Sequence, residues 1–168
     1  VYVGVCGLAG DDGWHVSVSS AASPLTLTTT GGDGRITLND IHSSKPLSLV
    51  ATGARLTGPL ALSNVTTATL GKVADLSLTS TTPLTSLSAV TWSAGAAAVP
   101  DSLTAPSIGS LNVKRAFAAD LTLTSKKVAL NSATVGGAVT GAWSVAGSAG
   151  TLKFHAVRSS DLTVRGNV

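Results

Sequence analysis

Glutamate, glutamine and methionine are missing from this chain of 168 residues, and all eight of its acids are aspartates. The missing types are good helix formers, whereas β-branched Thr and Val are plentiful, so the balance argues for strands. Aromatics are scarce: three Trp, two Phe and one Tyr. With no Arg-rich run and no interleaving of aromatic and basic residues, nucleic acid is not an expected partner. The lone cysteine, Cys6, can form neither an intrachain disulfide nor a CxxC metal site, and reads as a small buried apolar side chain. No apolar run approaches the ~20 residues of a membrane-spanning helix.

What is present is Leu, Val, Ala and Gly interleaved with Ser and Thr. That apolar share is enough to offset the entropy of ordering, so the Ser/Thr richness does not signal disorder. The length suits one domain spanning residues 1–168. The first residue is Val1 rather than Met, so the chain reads as processed or as a segment of a longer repeat assembly. The formal charge is only +3, carried by dispersed bases whose only adjacent pairs are Lys114-Arg115 and Lys126-Lys127.

The chain repeats itself. "GSLNVKRAFAADLTLTS" (109–125) aligns without a gap on "GTLKFHAVRSSDLTVRG" (150–166), a displacement of 41 positions. Leu111 meets Leu152, Asp120 meets Asp161 and Leu121 meets Leu162. "GRITLNDIHSSKPLSL" (34–49) fits the same frame if Pro46 is an insertion, and "ADLSLTS" (74–80) is nearly "ADLTLTS" (119–125). The tryptophans of "GWHV", "TWSA" and "AWSV" stand upstream of copies at uneven intervals and serve as a second, looser marker.

Inside each copy, runs such as Leu111-x-Val113 and Leu121-x-Leu123 alternate apolar and polar residues, as strands with one buried face do. No window shows the 3.6-residue pattern of an amphipathic helix. Short strands in a 20-to-40-residue repeat predict an all-β parallel β-solenoid (β-helix), in which one unit cannot bury its apolar face alone. Units of about 41 residues, two coils each, give roughly eight coils and a rod near 40 Å long. The alternative is an antiparallel β-sandwich, against which the scarcity of Asn-Gly and Asp-Gly hairpin turns argues.

"SIGSLNVKRAFAADLTLTS", "ATVGGAVTGAWSVAGSAGTLKF" and "DLTVRGNV" resemble the degenerate repeats of large secreted or surface-displayed bacterial β-solenoid proteins. The resemblance covers most of residues 34–168 and lies in the style of the repeat. It implies an extracellular or cell-surface scaffold or adhesin, and it transfers no catalytic residue.

Asp75, Asp120 and Asp161 each precede a Leu-x-Leu/Val strand. An acid that recurs with the repeat serves a turn, where its carboxylate accepts backbone N–H groups. Lys114 and Arg115 do not recur, which marks an outward face. With Lys126, Lys127, Lys153 and Arg158 they form a candidate binding face for surface glycans or other polyanions, provided stacking aligns them. Asn64 heads an N-x-T glycosylation sequon. His15, His42 and His155 lack zinc spacing, so no metal site is assigned. "AGDDG" (9–13) and "GGDGRITLND" (31–40) are weak calcium-turn candidates and the only hint of a cofactor.

No GxSxG motif and no tight acidic cluster beyond Asp11-Asp12 supports catalysis. The Thr-rich runs "LTLTTT" (25–30) and "LTSTT" (78–82) open an ice-binding alternative, but TxT does not recur in every copy. The sequence therefore reads as a non-catalytic extracellular structural module, a surface scaffold or a filament subunit that self-associates end to end. A glycan-binding adhesin and a polysaccharide-active solenoid enzyme are the alternatives.

Overall fold

The structure, a computed structural model, describes residues 3–6, 14–18, 24–29, 34–95, 101–158 and 160–166. In chain order the strands are β1 (Val3–Cys6), β2 (Trp14–Val18), β3 (Leu25–Thr28), β4 (Arg35–Gly53), β5 (Arg55–Ser80), β6 (Leu84–Trp92) and β7 (Ser102–Ala105). They continue as β8 (Ile108–Val113), β9 (Asp120–Leu123), β10 (Val128–Val139), β11 (Trp143–Val145), β12 (Ser148–Val157) and β13 (Leu162–Val164). All are hydrogen-bonded into one sheet, and every named ladder is parallel except β1–β2. The expected parallel β-solenoid is what forms. A sandwich would need antiparallel hairpin pairing throughout.

The core is a set of columns, each holding one residue per turn. On the longest side Leu25, Leu49, Ala68, Leu87, Leu111, Ala133 and Leu152 pair in succession. Neighbours in this column are 19 to 24 residues apart in sequence, and seven rungs enclose about six turns. A second side stacks Leu78, Leu103, Leu121, Trp143 and Leu162. A third stacks Val73, Trp92, Phe117, Val139 and Val157. Away from the ends these residues are almost sealed: Leu87, Leu103 and Phe117 are each 0 % exposed. Parallel strands put like side chain above like, so every turn adds one apolar layer to the same interior.

The 41-residue displacement is two turns, since Leu111 reaches Leu152 by way of Ala133. Three finer expectations are corrected. The turns number about six rather than eight, and at ~4.8 Å each they span about 29 Å. In the 34–49 copy, Leu49 stands in the column of Leu111 rather than that of Leu123, half a turn out of the expected frame. In "ADLSLTS", Ser77 occupies the slot of Asp120 through Ser102, so Asp75 lies two residues upstream. All the sides carry the same Leu-x-Leu alternation, and a slip of two residues keeps each side chain on its face. Pattern alone therefore leaves the side and the register open.

The tryptophans are not a repeat marker, because Trp92 and Trp143 belong to different columns. They are packing units. Trp92, Phe117, Trp143 and Phe154 run through the interior edge to face, with centroids 5.5, 5.6 and 5.1 Å apart. Each such pair contributes about 1 kcal/mol beyond its buried area.

Corners reuse one device. Ser43 Oγ donates to the Lys45 carbonyl (2.6 Å), Ser80 Oγ donates to the Thr82 carbonyl (2.7 Å), and Ser125 Oγ accepts from Lys127 N–H (3.4 Å). The hydroxyl bonds the main chain two residues on, where the ladder is interrupted. Ser43 and Ser80 are buried, so these bonds satisfy groups that water cannot reach.

Leu111→Ala should lower stability by about 3 kcal/mol, and Thr122→Ala, on an exposed outward position, by less than about 0.5 kcal/mol. Urea unfolding followed by tryptophan fluorescence measures both.

Candidate functional site

The outward positions between the buried columns are mostly hydroxyls. On the longest side Ser48, Thr67, Ser86, Ser110, Ser132 and Thr151 form one outward column. Two residues on, Val50, Thr69, Ser88, Asn112, Thr134 and Lys153 form the next. Neighbouring rungs bond directly, as where Thr67 Oγ1 donates to Ser48 Oγ at 2.7 Å. Val50, Asn112 and Lys153 interrupt the second column, so it is a mixed polar surface rather than a uniform threonine plane. Of the Thr-rich runs, Thr26 pairs with Val50 on this side, while Thr79 pairs with Thr104 on another.

Where this side turns the corner it sinks into two adjoining grooves that share Thr52 and Val90. One, of about 110 Å³, is bordered by Thr69, Ser88, Asn112 and Lys114. The other, of about 270 Å³, is bordered by Arg55, Gly71 and Lys72. At Gly71 the rungs approach closely, since a Cβ there would lie 2.7 Å from the Thr52 carbonyl oxygen of the rung below. Arg55 sits 3.7 Å from the Asp75 carboxylate. Lys72 and Lys114 are exposed and pair with no carboxylate among the described residues.

Of the basic residues singled out in sequence, Lys114 borders the groove, and Arg115 follows it with its N–H donating to the Val90 carbonyl at 3.0 Å. Lys126 and Lys127 lie in the corner before β10, at the other end of the rung, about 20 Å away along a six-residue strand. Lys153 is two turns beyond Asn112, and Arg158 lies just past β12. Stacking thus brings Lys114 together with Arg55 and Lys72, which sequence adjacency could not show. It does not gather the predicted six.

The three aspartates do not form one repeated element. Asp120 Oδ1 accepts from Ala142 N–H of the next turn at 2.8 Å. Asp161 shares that column and offers its carbonyl to Trp143 N–H at 2.7 Å. Asp75 has φ +56°, the left-handed region that Asp and Asn tolerate better than most residues. The acid that sequence reasoning passed over is Asp101, only 7 % exposed. Its Oδ1 accepts from Leu76 N–H (2.9 Å) and Trp92 Nε1–H (3.1 Å), and its Oδ2 accepts from Gly95 N–H (3.0 Å). A buried carboxylate with three donors is a structural clamp joining two turns.

Asn64 is a corner residue with φ +58°, and its Nδ2 donates to the Ser43 carbonyl at 2.7 Å. That nitrogen is the one a glycan would have to occupy, and the residue is half-buried, so the geometry favours the corner role. His42 and His155 are exposed on separate turns. The side chains of Cys6 and His15, the "AGDDG" segment and residues 31–33 lie outside the described residues. Among the described residues no group of three His, Cys, Asp or Glu converges for a metal, and no helix is long and apolar enough to cross a membrane.

Comparisons with protein-family models, with curated proteins and with solved structures find no match for this chain. The fold defines its class on its own terms: a parallel β-solenoid built from degenerate repeats.

Asp101→Ala, which strands three buried or half-buried donors, should cost about 3 kcal/mol. Asp120→Ala, at an exposed site, should cost under about 1 kcal/mol. Thermal and urea unfolding of the two variants side by side provide the check.

Proposed function

We propose that this chain is a non-catalytic extracellular structural module that assembles end to end by stacking one solenoid on another. The observation that supports the reading is a match between the two ends of the longest side. Among the described residues, β3 at one end pairs with β4 alone, and β12 at the other pairs with β10 alone. Leu25 and Leu27 on β3, and Leu152 and Phe154 on β12, are only partly buried, whereas the members of the column between them are sealed. Val157 and Leu162, on the last rungs, are 57 % and 47 % exposed.

A Leu-x-Phe rung laid on the Leu-x-Leu rung of another copy continues both the hydrogen-bond ladder and the apolar column. Such strand addition uses main-chain bonds for affinity and alternate side chains for register. The contact is head to tail, so it does not close on itself and generates a linear array. An open parallel edge is otherwise a liability that proteins cover or use.

Size-exclusion chromatography with light scattering should show mass rising with concentration, and Phe154→Lys should abolish the rise while leaving the circular dichroism spectrum unchanged. A stable monomer at millimolar concentration would overturn the reading.

A further inference from the structure

We infer that the groove at the corner of the longest side binds an acidic polysaccharide, laid along the solenoid axis. Lys72 and Lys114 stand two turns apart, so their ammonium groups are anchored about 9.6 Å apart along that axis. Lys114 borders the smaller and Lys72 the larger of the two adjoining grooves, and neither is neutralised by a carboxylate among the described residues. Between and beside them Thr69, Ser88 and Asn112, one from each of three successive turns, offer hydroxyl and amide groups at the rung spacing. A chain of pyranose rings presents hydroxyls at every unit and, in an acidic polymer, carboxylate or sulfate groups at intervals. A row of neutral hydrogen-bonding groups flanked by spaced cations complements that pattern. Arg55 extends the positive strip by a turn, with Asp75 holding its guanidinium at the lip.

The placement of the aromatics decides between ligand classes. Neutral sugars and unpaired nucleobases are gripped by exposed rings. Among the described aromatic side chains, Trp92, Phe117 and Trp143 are buried and Phe154 is stacked against Trp143, and none lines the grooves. Recognition there falls to charge and hydrogen bonds, which favours an anionic glycan. The site is independent of end-to-end stacking, since it lies on turns within the solenoid.

The test is titration calorimetry of the folded chain with oligogalacturonate, dextran sulfate, neutral dextran and a single-stranded oligonucleotide. One or both acidic glycans should bind, and affinity should fall at least tenfold in Lys72→Ala/Lys114→Ala and as salt is raised. Binding should be unchanged in Lys126→Ala/Lys127→Ala, which removes the same charge from the opposite edge. Equal losses in the two double variants would reduce the effect to net charge and overturn the site. So would equal binding of neutral dextran, tighter binding of the oligonucleotide, or no binding of either acidic glycan.

Discussion

Every feature of this protein depends on the parallel main-chain ladder. A parallel strand cannot return on itself through a tight hairpin, so the chain must travel around before it meets its own edge again. Each circuit lays one residue over its counterpart of the circuit before, and nothing inside a single circuit is large enough to bury its own Leu and Val side chains. Columns follow from that constraint. The inward ones hold Leu, Val, Ala and the stacked aromatics, and the outward ones hold mostly Ser and Thr. Composition and architecture are one statement: a chain of this kind needs small or β-branched residues facing out and compact apolar ones facing in.

Corners are where the constraint is met with difficulty. The ladder lapses there, and buried main-chain groups need other partners. Ser43, Ser80, Asn64 and Asp101 supply them, each with a short polar side chain reaching to the backbone. The two adjoining grooves also lie at a corner. Gly71 is among the lining residues, and those residues come from separate turns. Position in the chain says little about neighbours in such a fold, whereas position on the rung says nearly everything.

This is also why the sequence disclosed some things and hid others. Alternation of apolar and polar residues is a local property, so the strands, the absence of an amphipathic helix and the two-turn repeat from Leu111 to Leu152 could be read directly. Register is not local. The slots of Leu49 and Asp75 cannot be read from pattern, because similar Leu-x-Leu phrases occupy every side and turn lengths vary from 18 to 25 residues. The grouping of Lys72, Lys114 and Arg55 was invisible for the same reason, since no two of them lie within 16 residues of one another. Asp101 carries no sequence signal because it does not recur with the repeat. Its three bonds arise only when Leu76 and Trp92 are folded over it.

A stack of turns joined chiefly to nearest neighbours has the mechanics of a zipper. Load applied along the chain reaches the rungs one at a time, and each gives way when its own ladder bonds do. Asp101 changes that sequence of events locally: it binds Leu76 on one turn, and Trp92 and Gly95 on the stretch that follows, through a single buried side chain. Turns tied in this way must part together, so the solenoid would resist extension unevenly along its length. One carboxylate would thus set where the stack of turns yields last.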